Sequence, residues 1–456
     1  MQNFYREVDL MEKIKIIKIV ISVILCDAGE ATRAMEIADG IKKYCPDGYD
    51  TEIIFLSNGS RFENKIISEG FTIYKCEPQL PGIGFHNDLK PTNINIIGDI
   101  SLAEKMIYGE IKALKELKPH IVIYGFNPIA GLARRMIHKE IPGICYLPIP
   151  LCREMVTTNL MRDIPDMAKP ITYLPKRIRK AILKTIPKSL KLNFPTFRQK
   201  NISEALKKFD WSQNQKKPDN LFDMLESNMT IINDFKEFYK DSKMPKNFKI
   251  TGPLYAPPLN DKPIDEKILN IFSNENKRLK IFCSLGSSGK KEYLLEAIKS
   301  LITGIGAKKW SAVILSLPSV CSIDEALACA GNNENIYITD KFVPAVLVNS
   351  MADILISHGG QGTLQTGIYS GTPIVGFAMQ PEQQINLDNI VSFGGAIRIP
   401  IHMWNARNIQ KAIVKISNDK AYKENINLLR NKLKAYDGKK NAAEAIWNYI
   451  LACIVK

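Results

Sequence analysis

The chain has 456 residues, 45% hydrophobic and 24% charged, enough for two to three domains at roughly 100 to 200 residues each and unlike a peptide hormone, a disulfide mini-protein or a disordered tail. Its nine cysteines form no CxxC or CxxxC pair and its five histidines no HxxxH, which argues against a disulfide framework, a zinc site or a histidine-rich metal centre and leaves free thiols suited to a reducing cytoplasm. The net charge of +15 is concentrated: from Arg153 to Lys217 there are 16 Lys and Arg against 5 Asp and Glu, a balance of +11, which suggests a patch for an anionic surface or substrate; no aromatic interleaving or reader motif points to nucleic acid.

Ile14 to Cys26 (IKIIKIVISVILC) is shorter than the roughly 20 apolar residues of a membrane span, carries Lys15 and Lys18, and is predicted to be a buried first strand rather than an export signal. Met11 reads as an alternative start, with residues 1–10 a frayed extension. Further strands are predicted at Thr51 to Ser57, Phe71 to Glu77, His120 to Phe126 and Gly143 to Ile149. Helical patterns lie between them at Ala31 to Tyr44, Leu102 to Leu117 and Ile129 to Lys139. This alternation implies βαβ units and a parallel sheet covered on both faces.

The pattern breaks over residues 151–220, a Pro- and Lys-rich insert. Ile178, Ile182, Ile186 and Leu190 recur there every four residues and would share one face of a short helix. Strands resume at Met229 to Ile232 and Phe248 to Thr251. Beyond a Pro-rich linker at Gly252 to Lys262, a second α/β series runs through Lys280, Ala312 to Leu317, Asn335 to Thr339, Asp353 to Ser357 and Pro373 to Phe377. The expected architecture is two Rossmann-like, doubly wound domains facing across a cleft: 11–252, which contains the insert, and 263–438. A ligand is expected between them at the carboxyl ends of the strands. The helix at 439–456, with Trp447, Ile450 and Leu451 on its apolar side, is too short for a membrane anchor.

The most specific stretch is Ile354 to Asn386 (ILISHGGQGTLQTGIYSGTPIVGFAMQPEQQIN). A strand ends at Ser357, and a glycine-rich turn opens a helix near Gly362. On residue chemistry this is either a phosphate site, where unsatisfied N–H groups and the helix dipole attract a diphosphate, or a turn that merely permits tight packing. HGGxGT, SGTP and PEQxxN in this order and spacing resemble the donor-binding signature of family 1 (UDP-glycosyltransferase-like) glycosyltransferases of the glycosyltransferase-B fold. The resemblance extends over Phe126 to Pro150 and Met229 to Pro253, though not over the insert.

The resemblance implies that His358 contacts the diphosphate of a nucleotide sugar, that Gly360, Gly362 and Thr363 supply hydrogen bonds, and that Glu382 and Gln383 hold sugar hydroxyls. Phe342, with Val343 beside it, falls where relatives stack an aromatic on uracil. Ser287 and Ser288 match a loop near the phosphates. Thr366 stands where the family usually has a ribose-binding Glu; one hydroxyl cannot replace two carboxylate oxygens, so ribose binding should be weaker or differently arranged. In the first half, Gly29 to Arg33 resembles the family's G-[H or D]-x-x-[P or R] element, which makes Glu30 the candidate base for the acceptor hydroxyl, with helix capping as its alternative role. A carboxylate among apolar neighbours can be tuned for that work. The family's terminal helix crosses back onto the first domain.

The implied activity is an inverting, metal-independent hexosyl transfer from a nucleotide sugar, UDP-linked, to a hydroxyl acceptor, a lipid or a small natural product. The nucleotide sugar is a co-substrate; no cofactor is expected, and without a DxD pair no metal. No acceptor-binding residue can be singled out, although Pro81 to Asn95 and the insert are candidate regions. The insert could also rest on anionic membrane, which would make the protein peripheral on the cytoplasmic face. The rival readings are a catalytically silent relative that binds a nucleotide sugar or a partner enzyme, and a sugar-nucleotide epimerase, which the PEQxxN box disfavours.

Overall fold

The computed structural model describes residues 14–25, 28–92, 94–137, 140–166, 168–211 (of residue 196 only the backbone), 218–240, 242–254, 263–273, 277–341 and 343–453. Two units emerge from its internal packing: residues 1–157, 187–254 and 437–456 form the first, and 158–186 with 255–436 the second.

The first unit is built on seven parallel strands: β1 (Lys15–Ser22), β2 (Tyr49–Ser57), β3 (Thr72–Lys75), β4 (Ile121–Tyr124), β5 (Gly143–Leu147), β6 (Met229–Ile232) and β7 (Phe248–Ile250), in the order β3-β2-β1-β4-β5-β6-β7. Alternate residues feed opposite faces, as the period of two requires. Ile17, Ile19 and Ile21 join one core with Ile123 and Tyr146, while Val20 joins another with Val122, Tyr124 and Leu147. This two-sided burial is why the strands read as unbroken Ile/Val runs. The first core is closed by helix Ala28–Lys43 and by the terminal helix Gly438–Cys453. Trp447 Nε1 donates to the Ile41 carbonyl at 3.0 Å, and Lys439 is ion-paired with Glu36 at 2.8 Å and Asp39 at 2.6 Å. The terminal helix is therefore part of the first unit.

The second unit has six parallel strands: β8 (Leu279–Ser284), β9 (Trp310–Leu315), β10 (Ile336–Thr339), β11 (Ile354–Ser357), β12 (Ile374–Gly376) and β13 (Ala396–Arg398), in the order β10-β9-β8-β11-β12-β13. β13 is not among the strands expected from the sequence.

Both sheets reverse their winding once, between β1 and β4 and between β8 and β11. At such a switch point the loops leaving two neighbouring strands diverge, opening a crevice at the carboxyl ends. Ser22 pairs with Tyr124, and Ser284 with Ser357, so in each unit the two strands end level.

The basic insert is divided rather than confined to the first domain. Residues 158–186 cluster with the second unit, and the chain rejoins the first at Pro187. Among the described residues no helix is long and apolar enough to cross a membrane.

Candidate functional site

The second unit brings its motif residues to the β8/β11 switch point. β8 leads into Gly286, Ser287 and Ser288, and β11 into His358 and Gly359 ahead of helix Gln361–Ser370. His358 is buried and wedged between glycines. A Cβ on Gly286, which has φ +58°, would lie 2.7 Å from its Cε1, and one on Gly360 would lie 2.6 Å from its Nε2. Ser288 Oγ is 3.2 Å from Nε2; Nδ1 is buried with no hydrogen-bond partner among the described residues. Burial lowers the imidazole pKa to about 4, so at neutral pH His358 offers a hydrogen bond and not a positive charge.

Charge attraction at this point falls to the helix. Gly360 occupies the N-cap and has no side chain to cap the first turn, and a helix start of this kind suits an anion. Nothing lies within 4 Å of where a Gly362 Cβ would point, so the space over the helix mouth is open. Thr363 is half-buried on the same turn. Thr366 donates its hydroxyl proton to the Gly362 carbonyl at 2.9 Å, which leaves it only acceptor capacity toward any ligand.

Helix Pro381–Phe393 carries the acidic box. Gly359, at φ +87°, lets this helix approach the turn: a Cβ there would be 2.7 Å from the Gln383 carbonyl oxygen. Asn386 joins the two motifs, its side-chain amide donating to Glu382 Oε1 and, at 3.3 Å, to the Gly359 carbonyl. Gln383 Oε1 accepts from the Met379 N–H at 2.9 Å, which fixes the side chain without using its amino group. Val343 is buried; Phe342 lies outside the described residues. Thus Ser287, Ser288, His358, Gly360, Gly362 and Thr363 converge on one mouth, and Glu382 and Gln383 are tied to it through Gly359 and Asn386. Asn386 appears in the sequence box, but its bridging role shows only in three dimensions.

The Pro381–Phe393 helix also binds the first part of the insert. Arg398, 4% exposed at its side chain, is ion-paired with Asp388 at 2.8 Å, Asp163 at 3.0 Å and Asp166. Asp163 also receives Arg179 at 2.7 Å. Gln384 donates to the Ile164 carbonyl at 3.0 Å and accepts from the Asp166 N–H at 3.1 Å, while Arg162 donates to Asn389 at 2.6 Å. Buried charges need this density of partners.

In the first unit Glu30 stands at the β1/β4 switch point, in the first turn of helix Ala28–Lys43. It is 9% exposed and ion-paired with Arg33, one helical turn on. The neighbour is therefore a guanidinium and not only the apolar surface expected. A Cβ on Gly125, just beyond β4, would lie 2.3 Å from Glu30 Oε2 and 2.9 Å from Tyr146 Oη, so the missing side chain makes room for both groups. Cys145 responds to the same charge: burial first, and then Glu30, push its thiol well up.

Deeper in this unit Asn127 caps helix Pro128–Ala133 and donates to Ser22 Oγ at 3.0 Å. Glu110 is fully buried and pushed up to about 7 by loss of solvation, opposed by a hydrogen bond from Ser22. The two stretches expected near an acceptor are joined: Gln199 accepts from the Ile96 N–H at 2.7 Å, and Asn201 donates to the Ile97 carbonyl at 3.0 Å.

Two parallel-sheet Rossmann-like units of these strand orders make a glycosyltransferase-B fold. The glycosyltransferase of kitacinnamycin covers 94% of this chain, with 98% of its own length aligned, at a TM-score of 0.61 and 18% identity. The calicheamicin glycosyltransferase CalG4 gives 96%, 99%, 0.58 and 14%. The family described as "Erythromycin biosynthesis protein CIII-like, C-terminal domain" matches residues 324–444. Human UDP-glucuronosyltransferase 2B17 is 25% identical over 228 residues, 48% of this chain, and the match spans about two fifths of that relative (40%). The uncharacterized UDP-glucosyltransferase YojK of Bacillus subtilis (strain 168) is 24% identical over 361 residues, 75% of this chain and 78% of the relative. The chain is thus similar in fold to glycosyltransferases of natural products, and in sequence to UDP-glycosyltransferases over part of its length.

Proposed function

We propose that this protein is an inverting glycosyltransferase that moves a hexosyl group from a UDP-linked sugar to a hydroxyl acceptor, a natural product or a lipid alcohol. The observation that carries the reading is the convergence of Ser287–Ser288 and His358–Thr363 on a glycine-capped helix mouth at the β8/β11 switch point. The UDP-sugar transferase names of the curated relatives support the donor class, and kitacinnamycin and calicheamicin in the names of the solved structures support a natural-product acceptor.

Displacing a nucleoside diphosphate from an anomeric carbon breaks the bond between that carbon and the phosphate oxygen, and the electron pair leaves with UDP. The first-turn amides and the helix dipole stabilise the charge that develops there, with neutral His358 adding a hydrogen bond. Glu382 and Gln383 orient the sugar hydroxyls. Glu30 removes the acceptor's proton as its oxygen attacks the opposite face, so one displacement inverts the centre.

The test is Glu30→Gln with UDP-sugar and an acceptor panel. Turnover should fall about 10²- to 10⁴-fold with UDP affinity unchanged. UDP binding without turnover by the parent for any acceptor would transfer the case to a catalytically silent binder. Undiminished turnover in the variant would remove Glu30 from the mechanism.

A further inference from the structure

The ion cluster that fastens the insert to the second unit leaves one face of it turned outward. Residues 169–186 contain no Asp or Glu and six Lys or Arg. Arg179 points inward, donating to Asp163 and to the Thr172 carbonyl, each at 2.7 Å. Partial burial, and then the neighbouring Lys180, push the Lys176 ammonium pKa down, against the opposing pull of Asp388 and Asp163. Thr172 meets His402 Nε2 at 2.9 Å, and the Tyr173 ring packs edge-on against the His402 ring at 4.5 Å. Ile182 and Leu183 are half-buried on the same inner side.

What remains outside is apolar and cationic at once. Helix Lys176–Thr185 has no buried residue. Ile178 is 47% exposed; Leu174 and Tyr173, in the turn that precedes the helix, are 39% and 57% exposed. Ile178, Ala181 and Thr185 follow the spacing of one helical stripe. Arg177, Lys180 and Lys184 flank that stripe, all exposed, and have no ion-pair partner among the described residues. The face departs from the sequence expectation, in which Ile178, Ile182, Ile186 and Leu190 shared one side: Pro187 ends the run, and Ile182 and Ile186 turn partly inward.

We infer that this face, Leu174 and Ile178 set among Arg177, Lys180 and Lys184, is a preformed docking surface for an anionic lipid bilayer, carried by the donor-binding unit. Charge complementarity selects the partner. A soluble polyanion would use the three cations but has no use for exposed aliphatic side chains, whereas an interfacial helix places aliphatic groups at the acyl boundary and its basic flanks among the headgroups. The buried Asp163–Arg179 and Asp163–Arg398 pairs hold the helix in place before it meets the surface, which removes the ordering cost that weakens a helix forming only on contact. This surface does not depend on the transfer reaction.

The experiment is co-sedimentation of the full chain with phosphatidylcholine vesicles and with vesicles containing phosphatidylglycerol, at low and high salt. Capture by the anionic vesicles at low salt, released at high salt, is expected. The triple variant Arg177→Gln, Lys180→Gln, Lys184→Gln should lower that partition roughly a hundredfold, about fivefold per basic residue, with an unchanged melting temperature. Leu174→Ser with Ile178→Ser should lower it several-fold while leaving heparin binding as in the parent. Equal capture by neutral and anionic vesicles, full capture of the triple variant, or no effect of the serine pair would each overturn the inference.

Discussion

Gly360 and Gly362 are two residues apart in one helix mouth, yet alanine should act on them in opposite ways. At Gly362 the backbone is helical and nothing lies within 4 Å of an added Cβ. Replacing glycine by alanine in a helix stabilises it by roughly 0.5–1 kcal/mol, since the unfolded chain loses freedom. At about 2–4 °C per kcal/mol for a domain of this size, the ligand-free protein should melt about 1–4 °C higher. The same methyl group would fill the space assigned to the diphosphate, so UDP should bind at least about tenfold more weakly, a clash of only about 1.4 kcal/mol. At Gly360, φ is −63°, so alanine meets no backbone strain. Its methyl group would instead lie 2.6 Å from the His358 ring, which Gly286 blocks on the other side. Gly360→Ala should therefore cost about 1–3 kcal/mol and weaken UDP as well. Differential scanning fluorimetry without ligand and calorimetric titration with UDP read both quantities. A Gly362→Ala protein that is stabilised and binds UDP as tightly as the parent would refute the placement of the diphosphate over this helix.

Further outcomes follow from the buried charges. His358 has a folded pKa of about 4 against an ordinary 6.5, so its contribution is complete above pH 6.5 and is lost as pH falls toward 4, roughly 3 kcal/mol in all; His358→Gln should flatten the acid limb of the second unit's melting curve. Glu110 behaves oppositely, with a folded pKa of about 7 against 4.5: its contribution is complete below pH 4.5 and is lost as pH rises through 7, so Glu110→Gln should raise the first unit's stability at pH 8 by up to roughly 3 kcal/mol and leave it unchanged at pH 4. Arg398→Met removes the cation shared by three carboxylates and should destabilise the second unit by about 3–5 kcal/mol in urea melts. Thr366→Glu restores two acceptor oxygens and should tighten UDP about tenfold, read by titration.

The parts of this molecule that were legible in its sequence are those written in consecutive residues. The Ile/Val runs announced both sheets, because a strand covered on both faces is apolar at every position. The stretch from His358 to Asn386 was legible because its glycines, helix start and acidic box follow one another within a single strand-helix-strand-helix unit. The Glu30–Arg33 pair was within reach, since three residues apart on a helix are neighbours. The Gly125 gap beside Glu30 was not, because it depends on β1 and β4 being adjacent although nearly a hundred residues intervene. The division of the insert was equally hidden. Asp163 and Asp166 look like two acids diluting a basic tract, and only the fold shows that Arg398 and Arg179 take them inward. That pairing changes the meaning of the tract's charge. With Asp163, Asp166 and Arg179 buried in one cluster, the cations left on helix Lys176–Thr185 have no acidic neighbours on their own element, so the exposed face is more basic than the local composition indicates.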